Sequence, residues 1–257
     1  MAYFVARQFL PDFLCAKLFG DRKRWGIVAD HSDPMWLDWL SQSEEIYRAT
    51  QKSGVGNVVN EAGYAILRDF DLSSKCVLEM GPGDLPHMRF WRGKPSRYIV
   101  ADSSASFLEI AKGKLTEANI ETDCILVDRA KDFKLPCADA SVDVVVSFYN
   151  LEHLAPLHAH LIEMHRVLKP GGCLIGAIPT EGGIAWGLGR FLTTRRWFKK
   201  HTTINQDKVI CWEHPNYADS ILSELDGFFR RSRTSFWPLG IPSLDVNLVV
   251  SFLFTRD

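Results

Sequence analysis

Short apolar runs alternate with amphipathic stretches through the middle of the chain. The runs cover residues 76–80, 98–101, 124–127, 142–147 and 173–178. Their nearly continuous hydrophobicity is typical of strands that are buried on both faces of a parallel sheet. Between the runs, apolar residues recur at helical spacing in 105–118 and 155–168. This alternation predicts a doubly wound α/β sheet.

The N-terminal region has a helical pattern and no strand-like run. A helix is predicted to begin at Pro34, capped by Asp33, because proline is favoured in the first helical turn. A second helix is predicted over about 57–68. We therefore expect residues 1–70 to form a helical cap on a core that spans 71–257.

The C-terminal third contains an insertion and then two strands. Residues 181–215 are rich in glycine, aromatic and basic residues and interrupt the alternating pattern. Strands are predicted near 234–237 and 246–254, and the turn residues between them indicate an antiparallel hairpin. The predicted fold is therefore a seven-stranded, Rossmann-like α/β sheet. It has five parallel strands, a C-terminal antiparallel hairpin and helices on both faces.

The composition is that of a globular protein with balanced charge. Of the 257 residues, 46% are hydrophobic and 24% are charged, and the net charge of −1 gives no general reason to bind nucleic acid. No apolar run approaches the ~20 residues that a transmembrane helix needs. The N-terminus lacks the cationic start of a signal peptide. The cysteines form no C-x-x-C pair, so we predict reduced thiols in a cytoplasmic protein.

A glycine turn follows the first predicted strand of the core. The segment Glu79-Met80-Gly81-Pro82-Gly83-Asp84 leaves the strand and enters a turn whose glycines let a ligand approach the backbone. Asp102 and Ser103 follow the next strand, about 20 residues further on, where a carboxylate can accept from both hydroxyls of a ribose. Asp102 could instead cap the helix that begins near Ser104.

Two further segments follow the third and fourth strands. Asp128-Arg129 ends the third run, with Asp132 as a rival acidic residue in the same loop. Tyr149-Asn150-Leu151-Glu152-His153 follows the fourth run. In this order and spacing, the four segments resemble the class I S-adenosylmethionine-dependent methyltransferases over about residues 74–180. Val142 departs from the family pattern, which often has Phe at that place.

The resemblance implies S-adenosylmethionine as the cofactor and methyl transfer as the reaction. Glu79 and the glycine turn would lie at the methionine part of the cofactor, Asp102 at its ribose and Asp128 at its adenine. The residues expected to bind the cofactor are Glu79, Gly81, Pro82, Gly83, Asp84, Asp102, Ser103, Asp128, Arg129, Tyr149 and Asn150.

The segment after the fourth strand also contains the candidate catalytic residues. A hydroxyl acceptor must lose a proton, and His153 is the best base by position, with Glu152 to orient it or to act itself. His153 could instead anchor the loop to the following helix. Some related O-methyltransferases hold a divalent cation through Glu-x-x-Glu-His, but Tyr149 stands where the first Glu would be, so no metal is predicted.

The insertion and the N-terminal cap are expected to choose the acceptor. The substrate-binding candidates are Arg190, Arg195, Arg196 and Trp197. On a helix they would form a basic aromatic surface that binds a phosphate of the substrate or rests on an anionic membrane. A solvated amphipathic helix is the alternative.

Together these features predict methyl transfer to a small-molecule or glycan acceptor, with a hydroxyl oxygen as the expected atom. A methyltransferase-like protein that binds the cofactor without turnover is the alternative. A nicotinamide dehydrogenase is disfavoured, because Pro86 occupies the place of the third glycine in the dinucleotide motif.

Overall fold

The strands of the computed structural model form one mixed sheet. The structure describes residues 4–51, 55–127 and 133–257. Within these ranges the strands are β1 (Cys76–Met80), β2 (Arg97–Asp102), β3 (Glu121–Leu126), β4 (Val142–Phe148), β5 (Leu168–Pro179), β6 (Arg230–Trp237) and β7 (Val249–Thr255). Their order is β3-β2-β1-β4-β5-β7-β6, with β1 to β5 parallel and β7 antiparallel to both neighbours. The predicted seven-stranded sheet is confirmed.

Helices cover both faces of this sheet. Among the described residues they are α1 (Asp12–Phe19), α2 (Arg22–Trp25), α3 (Pro34–Gln51), α4 (Val55–Tyr64), α5 (Ala105–Glu117), α6 (Leu157–Val167), α7 (Ile184–Leu192), α8 (Thr194–His201), α9 (Gln206–Glu213) and α10 (Ala218–Phe228). Helices α4 and α5 pack on one face, and α6 and α10 pack on the other. Helix α10 has no counterpart in the sequence-based prediction.

Burial on both faces explains the nearly continuous apolar runs. In β1, Val77 packs in the cluster that contains α5, whereas Leu78 packs in the cluster that contains α6. In β4, Val144 and Val145 divide between the two clusters in the same way. All four side chains are fully buried, because successive residues of a strand point to opposite faces and helices cover both.

The two C-terminal strands differ in extent from the predicted ones. Strand β6 begins four residues earlier than predicted, and β7 begins three residues later. Asn247 explains the later start, because its side chain donates to the carbonyls of Ile241 and Ser243. It also accepts from the amide of Leu239 at 2.9 Å. These bonds hold residues 238–248 as an irregular loop.

The predicted insertion is helical and packs on the N-terminal helices. Trp212 of α9 contacts Trp36 of α3, with ring centroids 5.6 Å apart. Phe198 of α8 packs with Ile46 of α3, and α7 lies along α1. The cap and the insertion therefore form one helical layer. In the described ranges, no helix is both long and apolar enough to span a membrane.

Gly176 in β5 tests how tightly the sheet is packed. A methyl group on Gly176 would collide with the carbonyl oxygen of Ser147 and lie 2.8 Å from Cζ of Phe252. We expect Gly176→Ala to lower the free energy of unfolding by ~3 kcal/mol, measured by urea denaturation. The control is Gly113→Ala, since a methyl group there meets nothing within 4 Å and α5 gains helix propensity. Equal losses in both variants would contradict the packing argument.

Candidate cofactor and acceptor site

A glycine turn leaves β1 at the carboxyl edge of the sheet. Gly81 and Gly83 have φ values of +72° and +52°, which few other residues adopt. A Cβ on Gly81 would lie 2.6 Å from Cγ of Asn150, which follows β4. A Cβ on Gly83 would meet nothing within 4 Å. The turn therefore packs closely on the β4 loop at one glycine and faces open space at the other, where a ligand can reach the backbone.

Asp102 lies beside this turn, at the end of β2. The amide of Gly81 donates to the carbonyl of Ala101 at 2.9 Å, so the two strand ends are adjacent. Oδ1 of Asp102 accepts from the amide of Ser104 at 2.8 Å. The side chain that caps α5 is the Ser104 hydroxyl. Ser104, and not Asp102, therefore caps α5. Binding of a ribose by Asp102 and Ser103 stays a prediction.

Glu79 is buried beneath the turn, and both of its carboxylate oxygens are hydrogen bonded. Oε2 accepts from the Tyr98 hydroxyl at 2.7 Å, and Oε1 lies 2.6 Å from Nε2 of His87. Nδ1 of His87 accepts from the Trp91 indole at 3.0 Å, so Nε2 carries the proton and donates to Glu79. Sequence analysis missed both partners of Glu79 and the contact between Trp91 and His87. Both carboxylate oxygens of Glu79 thus contact protein groups, and binding of a ligand by Glu79 stays a prediction.

The remaining turn residues are tied to α5. Lys114 of α5 donates to the carbonyl of Asp84, and its Nζ lies 3.9 Å from the Asp84 carboxylate. The carbonyl of Pro82 accepts from the Leu85 amide at 2.9 Å, which closes the turn. Outside the described residues lie Asp128, Arg129 and Asp132. Their contact with adenine stays a prediction.

Tyr149 is directed towards the N-terminal cap. Its hydroxyl donates to the carbonyls of Val59 and Asn60 in α4, both at 3.0 Å. Gly63 of α4 makes room for the phenol, because a side chain there would collide with it. These contacts join the β4 loop to α4 and give no support to the expected packing of Tyr149 on the cofactor. Asn150, by contrast, lies against the glycine turn as described above.

Two histidines and three carboxylates meet where β4, β5 and α9 end. This acid–histidine cluster consists of Glu152, His153, Glu181, Glu213 and His214. Nδ1 of His153 lies 2.8 Å from the carbonyl oxygen of Glu213 and 3.2 Å from its Oε2. Nε2 of His153 lies 4.0 Å from Oε1 of Glu152. The two imidazole rings are 4.4 Å apart, and His214 bonds with the Glu181 carboxylate.

Sequence analysis found Glu152 and His153 but missed the other three members of the cluster. Glu181 had a usable signal, because it follows β5 at the same edge of the sheet. Glu213 and His214 had none, since they arrive through the packing of α9. Trp39 of α3 donates to Oε1 of Glu213 at 2.5 Å, so the N-terminal cap completes the cluster.

Burial and neighbouring groups separate the carboxylates by pKa. Burial raises the pKa of Glu152 to about 7, against an opposing effect of His153. Burial also acts to raise the pKa of Glu213, but the hydrogen bond and charge of His153 lower it to about 2. Oε2 of Glu152 and Oε1 of Glu181 are buried without a hydrogen-bond partner in the described ranges. In the same ranges no three acidic, His or Cys side chains are placed to hold a metal ion.

The predicted basic surface of the insertion forms only in part. Arg190 is buried and donates to carbonyls of α1 and to side chains of α9. Its expected place on an exposed face is wrong, because its guanidinium joins α1, α7 and α9. Arg195 pairs with Asp207 at 2.7 Å, and Trp197 stacks on a histidine of its own helix. Arg196 is exposed, and substrate binding by Arg195, Arg196 and Trp197 stays a prediction.

Comparisons with known proteins identify the domain. Residues 78–176 match the family described as the methyltransferase domain. A malonyl-[acyl-carrier protein] O-methyltransferase from Yersinia pestis is 25% identical over 166 residues, 64% of this chain and 59% of that protein. A ubiquinone/menaquinone biosynthesis C-methyltransferase from Marinomonas sp. is 33% identical over 107 residues, 40% of this chain and 42% of that protein. The mitochondrial arginine-hydroxylase NDUFAF5 from Mus musculus is 29% identical over 160 residues, which are 61% of this chain and 40% of that protein.

Solved structures show the same fold. An S-adenosylmethionine-dependent methyltransferase from Mesorhizobium loti superposes with a TM-score of 0.53 at 17% identity, covering 77% of this chain and 98% of that one. A Pyrococcus horikoshii protein gives a TM-score of 0.57 at 14% identity, covering 84% and 99%. Residues 78–176 therefore match a methyltransferase domain, and the chain has the fold of S-adenosylmethionine-dependent methyltransferases. The predicted resemblance is confirmed. The chain spans between 40% and 59% of the length of the three curated relatives.

Substitution of Asp102 tests the predicted cofactor site. Asp102→Asn removes a charged acceptor for the ribose hydroxyls, so the affinity for S-adenosylmethionine should fall roughly ten- to a hundredfold. Isothermal titration calorimetry with S-adenosylmethionine and S-adenosylhomocysteine measures this change. The control is Asp69→Asn, which alters an exposed carboxylate paired with Arg233. An affinity in Asp102→Asn equal to that of the wild type would remove Asp102 from the site.

Glu152 makes the stability of the protein depend on pH. Its pKa rises from 4.5 in the unfolded chain to about 7 in the folded one, so its contribution is complete below pH 4.5 and is lost as pH rises towards 7. Relative to Glu152→Gln, the wild type should lose about 2 kcal/mol of unfolding free energy between about pH 5 and 7.5 in urea denaturation. Glu121→Gln, on an exposed strand position, is the control. A pH-independent difference between wild type and Glu152→Gln would contradict the prediction.

Proposed function

We propose that the protein transfers the methyl group of S-adenosylmethionine to a hydroxyl oxygen of a small-molecule or glycan acceptor. The observation that carries this proposal is the acid–histidine cluster, which lies at the same edge of the sheet as the glycine turn. S-adenosylmethionine bound at the turn would supply an electrophilic methyl group. The residues of the cluster would align the acceptor and remove its proton.

The contacts of His153 define its tautomer. A carbonyl oxygen only accepts hydrogen bonds, so the carbonyl of Glu213 requires the imidazole proton to be on Nδ1. The lone pair is then on Nε2, the nitrogen that faces Glu152. This arrangement supports His153 as the general base. Nε2 would accept the hydroxyl proton, and the ionised Glu213 beside Nδ1 would stabilise the imidazolium.

The buried carboxyl groups around His153 favour an acceptor that bears hydroxyls. Glu152 and Glu181 each have a buried carboxylate oxygen without a hydrogen-bond partner in the described part of the chain, although Oε1 of Glu181 lies 3.6 Å from Nη2 of Arg22. Such oxygens accept readily from hydroxyl groups, which supports an acceptor with several hydroxyls, such as a sugar. A phosphate on the acceptor would bind away from the cluster, and the exposed Arg196 is the candidate for that contact.

A protein that binds the cofactor without transferring a methyl group is the second candidate. The similarity to a protein named as an arginine-hydroxylase favours it, because related domains occur in proteins named for other reactions. The names of the other relatives include both O- and C-methyltransferases. The choice of an oxygen acceptor therefore rests on His153 and its neighbours.

The test is methyl transfer from labelled S-adenosylmethionine to the components of a cell extract. We expect the wild type to label a hydroxyl-bearing product, and His153→Ala to lower kcat by at least about a hundredfold. Glu213→Gln should lower kcat about tenfold with little change in KM, because the imidazolium loses its charged partner. Both variants should retain calorimetric affinity for S-adenosylmethionine.

The control for these variants is His158→Ala, which changes an exposed histidine of α6. Its rate should match that of the wild type. An unchanged rate in His153→Ala would exclude His153 as the base. Cofactor binding without any labelled product would favour the second candidate, and absence of cofactor binding would exclude both.

A further inference from the structure

Three chain segments meet at Asp245 on the carboxyl edge of the sheet. Oδ2 of Asp245 accepts from the amide of Ala6 at 2.8 Å, and Oδ1 accepts from the amide of Ile184 at 3.2 Å. Asp245 belongs to the loop between β6 and β7. That loop leads to Val249, which pairs with Pro179 at the carboxyl end of β5. The N-terminal segment, the start of α7 and this loop therefore lie side by side.

Each of these segments exposes large apolar side chains. The apolar patch consists of Phe4, Phe9, Phe13, Leu188, Leu192 and Ile241. Phe4 and Phe9 are 70% and 71% exposed, although their rings stack with centroids 5.4 Å apart. The bonds from Arg190 to two carbonyls of α1 hold that helix, with its exposed Phe13, beside α7. A concentration of exposed apolar side chains marks an interaction surface.

Exposed positive charge follows the apolar residues of α7. Helix α8 follows α7 after one residue and exposes Arg196, Lys199 and Lys200. Among the side chains that the structure describes, which exclude those of residues 44, 45 and 47–50, these three have no acidic partner, whereas the neighbouring Arg195 pairs with Asp207. The charge is local, because the whole chain has a net charge of −1. The exposed end of the insertion therefore carries both cationic and apolar side chains.

We propose that the apolar patch and the basic face of α8 form one surface that docks on an anionic lipid bilayer. Phenylalanine and leucine side chains enter the boundary between headgroups and acyl chains, while lysine and arginine are attracted to acidic headgroups. A second copy of the chain would present the same cations and would be repelled by them. The combination of charge and apolar side chains therefore favours a lipid surface over self-association.

Docking would turn the carboxyl edge of the sheet towards the bilayer. The glycine turn and the acid–histidine cluster lie on that edge, so an acceptor held in the membrane by a lipid could reach them without leaving it. The docking surface shares only Arg196 with the acceptor contacts proposed above, and the variants that test the surface leave Arg196 unchanged.

Vesicle sedimentation tests this surface. The full chain is mixed with phosphatidylcholine vesicles, or with vesicles that also contain phosphatidylglycerol, at low and high salt. We expect binding to the anionic vesicles alone, and weaker binding at high salt. Lys199→Ala with Lys200→Ala should weaken binding on the order of tenfold. Phe9→Ser with Phe13→Ser should weaken it by a similar factor at both salt concentrations.

The control changes the same residue types on α5. Ile110→Ser with Lys112→Ala alters an exposed apolar and an exposed basic side chain, and should leave vesicle binding unchanged. Calorimetric affinity for S-adenosylmethionine reports that each variant is folded. If the double Phe variant loses that affinity, Phe9→Ser alone is measured. These readouts are independent of methyl transfer, so the docking surface and the proposed function are tested separately.

Three results would overturn the proposal. The first is failure of the wild type to bind anionic vesicles at low salt. The second is a loss of binding in the α5 control as large as that in the Phe9 and Phe13 variant. The third is a patch variant whose oligomeric state changes in light scattering while its vesicle binding does not, since the patch would then join copies of the chain.

Discussion

Burial of β1 and β4 on both faces is the constraint on which the rest of the structure depends. Their central side chains have no exposed surface, so polar groups are tolerated only at the strand ends or with full hydrogen bonding, as Glu79 has. The parallel arrangement brings the carboxyl ends of β1, β2, β4 and β5 to one edge. The glycine turn, Asp102 and the acid–histidine cluster share that edge for this reason, although they are distant in sequence.

The strands and the glycine turn could be predicted because their signals are local. The positive φ values favour glycine at positions 81 and 83. Asp102 is a candidate because of its distance from the turn, and its binding of a ribose stays a prediction. Arg190 shows where a prediction from local sequence fails. Its guanidinium is buried because it donates to carbonyls of α1 and to side chains of α9. The Tyr149 hydroxyl likewise bonds to a carbonyl 90 residues away in the chain, and packing of Tyr149 on the cofactor stays a prediction. Tertiary packing decides the position of both side chains.

The His153 imidazole lies between two carboxyl groups that differ in pKa. One side of the cluster is therefore ionised, and the other titrates near neutral pH. On the Nδ1 side, hydrogen bonds from His153 and Trp39 keep Glu213 ionised, and its pKa is about 2. On the Nε2 side, burial raises the pKa of Glu152 to about 7. The fixed negative charge therefore lies opposite the nitrogen that takes a proton in the proposed reaction. The Glu152 carboxyl group, whose pKa is near neutral pH, lies 4.0 Å from that nitrogen, which is beyond direct hydrogen-bond reach.

Three members of the acid–histidine cluster, Glu181, Glu213 and His214, lie outside the region that matches the methyltransferase domain. The family match covers residues 78–176 and ends before Glu181 and before α9. Glu213 comes from the insertion, and the hydrogen bond from Trp39 makes its position depend on the N-terminal cap. Similarity over 78–176 therefore identifies the cofactor and leaves the acceptor open. The apolar patch belongs to the same cap and insertion, apart from its one residue in the β6–β7 loop. A single helical layer would then determine both which acceptor reaches His153 and the surface from which it comes.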